Sequence, residues 1–434
     1  MKKIVYLFLI MVGITQFIVA EPLVLTENLS VEMALEQNKA LKASLLDLEK
    51  SEDQKNHSWN VLLPDFSLNA SVSGDDSVLN GSSLDSDDLT LSGYFESSVT
   101  LNPSARYYMN FDKLSYDSQY ILYQIDEKEL KVEVKKAFYY LIAYKESLDL
   151  EAKNLDLAKK RWLQTKNNFQ NGLASELEVL EAQSSYENMK PSYTETKTTY
   201  KTKLMSFKSL LGLDLEQEIS IDGNLAPEII ELDSAKLLKN FLLKRLDVQS
   251  ALKSIQAEEA LLAIEKLDDR APELSLTLDW TNSASDMNDI DWTDDASVSA
   301  SISIPLNGFI PGSEESVAIS DAKKAVEQAN LNYADIVDSA EQEIRTLVME
   351  LDGYREKIDI TKANVEISQK TYEMTEEAYN KGTKELLDLD DAQNTLFSAK
   401  QDLLQSKYDY LSALLDLEYA LNATTEDIKT LNNE

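Results

Sequence analysis

The chain has 434 residues, no cysteine and one histidine, and it carries 42 Lys+Arg against 77 Asp+Glu for a formal charge of −35. That acidity argues against nucleic acid or an anionic lipid surface as a partner, and a single histidine without cysteine leaves no zinc cluster and no Ser-His or Cys-His pair of the usual kind. With only 11 Gly and 8 Pro among many Leu, Lys, Glu and Ala, the composition predicts mostly helix, much of it long, and 20 Tyr set it apart from disordered acidic sequence.

The first twenty residues differ in kind from the rest. Lys2 and Lys3 precede a nearly continuous apolar run from Ile4 to Val19, and Ala20-Glu21 offers a cleavage point. Segment 1–20 reads as a secretory signal peptide, with a membrane-anchoring first helix as the alternative. No cysteine follows it, so lipid attachment through one is excluded. Further on, no apolar run approaches the ~20 residues of a spanning helix, so the mature chain can enter a membrane only as a β-barrel. His57 lies in a polar stretch near a helix end and reads as solvated.

The remainder is one unit written twice, over 21–223 and 224–434. Gly172, in Phe169-Gln-Asn-Gly172, and Gly382, in Tyr379-Asn-Lys-Gly382, are 210 residues apart, and Leu177 to Gln183 matches Leu387 to Gln393. Upstream, Leu63-Pro64-Asp65-Phe66 matches Ala271-Pro272-Glu273-Leu274. Each repeat reads helix, β-hairpin, very long helix, tight turn, helix. In the first these are 30–60, a hairpin over 66–101, 103–171 and 175–211. In the second they are 234–267, a hairpin over 274–304, 313–381 and 384–421. Pro191 falls inside a predicted helix and should kink it.

The long helices carry a seven-residue apolar repeat. Val134, Leu141, Leu148, Leu155, Trp162 and Phe169 recur 210 residues later as Ile344, Leu351, Ile358, Val365, Tyr372 and Tyr379. Beyond the glycines, Val179, Tyr186, Tyr193, Tyr200 and Phe207 match Leu389, Leu396, Leu403, Tyr410 and Leu417. A stripe held this long, in register in both copies, points to extended coiled-coil packing, where an isolated stripe would point only to a bundle core. At about 1.5 Å per residue each long helix measures on the order of 100 Å, which the two shorter helices of a repeat match when laid end to end. The Gly172 and Gly382 turns then sit at the far tip, where glycine suits the left-handed conformation that ends a helix.

The four strands alternate cleanly. Phe66, Leu68, Ala70 and Val72 oppose Ser67, Asn69, Ser71 and Ser73, and Val298, Ala300, Ile302 and Ile304 oppose Ser297, Ser299, Ser301 and Ser303. The two strands between them follow the same rule. The polar face is mostly small hydroxyls, which suits a wet lumen, and eight to thirteen residues cross a bilayer when tilted. The joining segments, 74–88 and 282–295, are acidic and read as exposed loops. Amphipathic hairpins on a soluble domain are the competing explanation. Four strands cannot close a barrel, and an open edge in lipid leaves backbone groups unpaired. Two copies would give eight strands with a filled interior, and three would give twelve with room for a channel. Geometry alone requires an oligomer without fixing three.

The segment from Tyr379 through Gly382, Asp388, Asp390, Asp391 and Gln393, followed by Leu396, Ala399, Leu403, Tyr408 and Tyr410, resembles the second tip of the TolC-type outer-membrane efflux proteins, the outer membrane factors. Gly172 with Leu177-Glu178-Val179-Leu180-Glu181-Ala182-Gln183 resembles the first tip. The resemblance implies a mainly α fold with a small β part. Coiled-coil hairpins would form a periplasmic tunnel, continued by a twelve-stranded transmembrane β-barrel built by a homotrimer in outer-membrane lipid. It also implies docking to a periplasmic adaptor (a membrane fusion protein) and to an inner-membrane efflux pump or ABC transporter. By the same resemblance, Asp388 and Asp391 match a ring of aspartates that narrows the tunnel mouth, and Glu178, Tyr379 and Lys384 match polar contacts that close the tip. Lys384 stands where arginine is common, so its contact would not be bidentate.

The expected function is thus an exit duct for efflux or type I secretion. A soluble periplasmic coiled-coil adaptor or spacer is the alternative from another class. No nucleophile motif or glycine-rich phosphate loop suggests an enzyme, and no catalytic residue, cofactor or metal site is expected.

Overall fold

The computed structural model describes residues 23–74, 89–284 and 291–433. The predicted signal segment, most of both acidic loops and Glu434 lie outside the described residues.

The elements follow the repeat. Strand β1 (Leu23–Leu25) leads into α1 (Glu27–Gln37) and α2 (Lys39–Asn56), then a 3-10 turn at Ser58–Leu62 and strands β2 (Asp65–Gly74) and β3 (Leu89–Leu101). Next come α3 (Ala105–Gln170), α4 (Glu176–Leu210) and β4 (Ile219–Ile221). The second copy runs α5 (Ser234–Phe241), a 3-10 turn at Leu242–Lys244, α6 (Leu246–Asp268), β5 (Glu273–Ala284) and β6 (Thr293–Ser303). A 3-10 turn at Asn307–Phe309, α7 (Glu314–Asn380), α8 (Leu386–Leu421) and α9 (Thr425–Asn433) complete it. No described helix is long and apolar enough to cross a membrane.

Two expectations need correction. The first helix of each repeat is broken. Asn38 leaves the helix (φ −60°, ψ 128°) and donates its Nδ2 to the Leu210 carbonyl at 3.0 Å. Arg245 breaks the second helix (φ −59°, ψ 140°) and holds Asp247 and Glu343 at 2.7 and 2.6 Å. Each break depends on partners distant in sequence, so local pattern does not show it. The chain also contains the short parallel pair β1–β4 and helix α9, which the sequence reading lacks. Helix α4 continues through Pro191 as one element.

The chain forms two compact units that cut across the repeats. One contains α1, the two strands β1 and β4, α4 and the parts of α3, α7 and α8 within 133–170, 358–380 and 386–409. Its core joins the heptad stripes: Phe138 meets Phe207 with ring centroids 6.5 Å apart, and Trp162 stacks on Tyr186 at 5.7 Å. Val134, Leu141, Leu389 and Leu396 are buried, whereas Phe169, beside the tip, is exposed. The other unit contains the sheet, α2, α5, α6, α9 and the remaining helix segments, around Ile344, Leu351 and Leu417. There the Tyr410 hydroxyl accepts from the Ile230 amide at 3.0 Å.

The four-stranded sheet is antiparallel in the order β2-β3-β5-β6. Its register places Leu68, Phe95, Trp280 and Ala296 in one row across all four strands. Residues directly opposed across a ladder share a face, so the apolar residues fall together, and Ser97 is a lone hydroxyl among them. Leu68 is 77% exposed and Val298 83%. The other face carries a web of hydroxyls and acids. Ser71 bonds Ser92 at 2.8 Å, Thr100 bonds Ser275 at 3.1 Å, and Tyr94 donates to Asp279 at 2.7 Å. Strands β2 and β6 are its edges.

Leu141→Ala, at a core position only 1% exposed, should cost about 2–5 kcal/mol. Lys160→Ala, which removes an exposed pair with Asp156, should cost less than ~1 kcal/mol. Denaturant midpoints of the two variants check this ranking.

Candidate functional site

The two tips are built alike. At the end of α3, the Leu173 amide reaches the Asn168 carbonyl at 2.8 Å and the Gly172 amide reaches Phe169 at 2.9 Å. At the end of α7, Thr383 reaches Ala378 at 3.0 Å and Gly382 reaches Tyr379 at 2.8 Å. This doubled bond is the Schellman ending, which needs a left-handed residue just past the helix. Gly172 and Gly382 supply it at φ 72° and 73°. The opposite ends of the ascending helices repeat the device with Gly212 and Asn422 at φ 74° and 55°.

Each ascending helix then starts on a carboxylate that caps it. The Ser175 amide donates to Glu178 at 2.6 Å, the Ser175 hydroxyl donates to the same carboxylate at 2.9 Å, and the Glu178 amide returns a bond to that hydroxyl at 3.2 Å. At α8 the Glu385 amide donates to Asp388 at 3.2 Å, and the Lys384 ammonium meets the same carboxylate at 3.1 Å. Glu178 and Asp388, already aligned by the 210-residue offset, are therefore equivalent caps of the two repeats. The amide and hydroxyl of Ser175 hold the Glu178 carboxyl below its ordinary value. Lys384, and then the Glu385 amide, do the same for Asp388.

Of the residues singled out from sequence, the structure joins Lys384 to Asp388. Glu178 is engaged by Ser175, not by Tyr379 or Lys384 of the same chain. Tyr379 is half-buried, and Asp391 is exposed. Asp391 lines an open groove of about 760 Å³ between α7 and α8, with Asn364, Ser368, Asn394 and Asp402. Asp390 points away from that groove and pairs with Arg161 of α3, both largely buried (side chains 16% and 12% exposed). The Gln393 amide bonds Asn154 nearby. These two contacts fasten α8 to α3 just above the tip. Nothing in the sequence pattern points to its arginine, 229 positions away.

No cluster of His, Cys, Asp or Glu able to hold a metal ion occurs among the described residues. His57 is exposed, its Nδ1 2.7 Å from the Asp53 carbonyl.

Long paired helices ending in capped acidic tips, joined to a two-faced sheet with open edges, define an outer-membrane channel-tunnel subunit. The profile of the outer membrane efflux protein family matches the chain twice, over residues 30–213 and 237–423, and the chain belongs to that family. It is similar to the outer membrane protein TolC of Escherichia coli (strain K12), with 24% identity over 422 residues, 91% of this chain and 82% of the relative. It is also similar to TolC of Salmonella enteritidis, with 23% identity over 421 residues and the same coverage of each. The Campylobacter jejuni CmeC outer membrane channel shares the fold with a TM-score of 0.76 at 20% identity, covering 93% of this chain and 89% of that one.

Ser175→Ala should loosen the start of α4 by about 1 kcal/mol, seen as faster amide exchange at Glu178. The pH dependence has a fixed sign. Both capping carboxyls have folded pKa values below their ordinary 4.5 and 3.8. Their contribution is complete above those values and is lost as pH falls through the lower folded ones. Exchange protection at both tips should therefore fall on acidification below about pH 4.5, and fall less at the α4 tip once Glu178 is replaced by Gln.

Proposed function

We propose that three copies of this outer-membrane channel form a continuous exit duct that works with a periplasmic adaptor and an inner-membrane efflux pump or ABC transporter. One observation carries this reading: the sheet exposes an apolar face and, among the described residues, leaves β2 and β6 with unpaired edges. Joining β6 of one copy to β2 of the next satisfies those backbone groups, and twelve strands leave a lumen where eight would be filled by side chains. The hydroxyl-rich face then lines that lumen. The twofold match of the family profile supports 21–223 and 224–434 as equivalent halves of each subunit, behind a cleaved segment 1–20.

Asp388 and Asp391 narrow the tunnel mouth. Three copies bring six carboxylates together there, a ring that favours cations and binds multivalent ones. Glu178, Tyr379 and Lys384 hold the tip shut through contacts between neighbouring hairpins. Because Lys384 already lies on Asp388 and Glu178 on Ser175, closing exchanges a contact within one hairpin for a contact between two. A lysine makes that exchange with a single flexible charge, without the fork an arginine would bring.

In planar bilayers the protein should conduct with a preference for cations. Asp388→Asn combined with Asp391→Asn should lower that preference and relieve block by trivalent cations. Unchanged selectivity and block would remove these residues from the gate, and absence of any conductance would contradict the duct.

A further inference from the structure

The core of each hairpin changes character part-way to its tip. In α3 the inward positions Glu151, Ala158 and Thr165 follow one another at seven-residue spacing, and all three are buried. The 210-residue offset matches them to Thr361, Ser368 and Thr375 in α7, of which the first two are buried as well. None of the six is a large apolar side chain. Further from the tip the same helices bury Phe138 and Leu141, and Val348 and Leu351. The change falls at one height in both repeats, about 30 Å from the glycine turns at ~1.5 Å per residue.

The boundary is a polar layer. Glu151, only 8% exposed, accepts from the Thr196 hydroxyl at 3.0 Å and from Ser192 at 3.5 Å, while its second oxygen is buried with no partner among the described residues. The counterpart of Thr196 is Ser406, fully buried, which turns its hydroxyl back to the Asp402 carbonyl at 2.7 Å. Thr361 donates to the Ile358 carbonyl at 3.1 Å. Bonds of this kind to the preceding turn weaken and bend helices. Helix α4 repeats them at Thr194, Thr198, Thr202 and Ser206, just beyond Pro191, which has no amide to donate. Towards the tip, the Trp162 indole N–H and the Gln393 side-chain oxygen are also buried without a partner among the described residues. A buried polar group left half-paired is less stable than an apolar side chain of similar size in its place.

We propose that this layer, Glu151 with Ser192 and Thr196 in one hairpin and Thr361 with Ser406 in the other, is where the hairpins yield, so that their tips shift while the helices beyond it hold. Its purpose rests on the reading of the chain as a gated duct; its softness does not. Stretches with few buried apolar contacts open at a lower free energy than the rest of a fold. Between the layer and the first tip, Trp162 stacks on Tyr186 and keeps α3 against α4, so that tip shifts as one piece.

Amide hydrogen exchange of the assembled protein in detergent tests the layer. Glu151→Met fills a similar space with an apolar chain, and the freed Ser192 and Thr196 hydroxyls can turn back to their own helix as their neighbours do. Amides of 152–170 and 176–191 should then exchange about tenfold more slowly, with those of 134–148 unchanged. Ser406→Ala removes a buried hydroxyl while favouring the helix, and should slow exchange over 386–405 without altering the first hairpin. Exchange that is unchanged or faster in either hairpin would overturn the proposal, since ends that merely fray do not respond to a change at the layer. In planar bilayers the protein carrying both substitutions should lose open time relative to the parent. Slower exchange with undiminished open time would overturn the part of the layer in gating. A parent that conducts nothing would contradict the duct instead, and the exchange result would still decide whether the layer yields.

Discussion

The structure depends on one constraint: backbone amides and carbonyls facing lipid must find partners inside the protein. A sheet with four strands satisfies its inner ladders and leaves two edges open. In water such edges could be solvated, but this sheet turns Leu68, Trp280 and Val298 outward on one face, and lipid supplies no hydrogen bonds. The open edges and the apolar face together are what the proposed association of copies would satisfy. The outer-membrane location of the family agrees with that requirement.

The duplication fits the same need. Each repeat supplies one hairpin, one long helix and one tip, and the tips are chemically parallel down to the acid that caps each ascending helix. Divergence falls on what surrounds those acids. Glu178 shares its carboxylate with a serine, and Asp388 shares its own with a lysine and stands beside a second exposed acid, Asp391. The first tip is thereby an ordinary capped helix start, whereas at the second a lysine shares the capping acid and Asp391 stands exposed beside it. Arg161, held on Asp390, joins the second tip to α3, the descending helix of the other repeat.

Much of this was legible in the sequence because it is periodic. Alternation over eight or more residues locates the strands to within four residues of their observed ends, and the heptad stripe locates the long helices to within two. Phe169 is the one exposed stripe residue, where the stripe runs out at the tip. What was illegible is not periodic. Asn38 and Arg245 break their helices through bonds to residues far along the chain. The three-residue strands β1 and β4 are too short for alternation to register, and the partner of Asp390 is 229 positions away.

Native mass spectrometry of the protein released from outer membranes in mild detergent tests the account most directly. Three copies held together, with loss of assembly when a charged residue replaces Leu68 on the lipid face, are the predicted result. A single chain that stays soluble and folded without detergent would show that the sheet edges need no partner, and would contradict it.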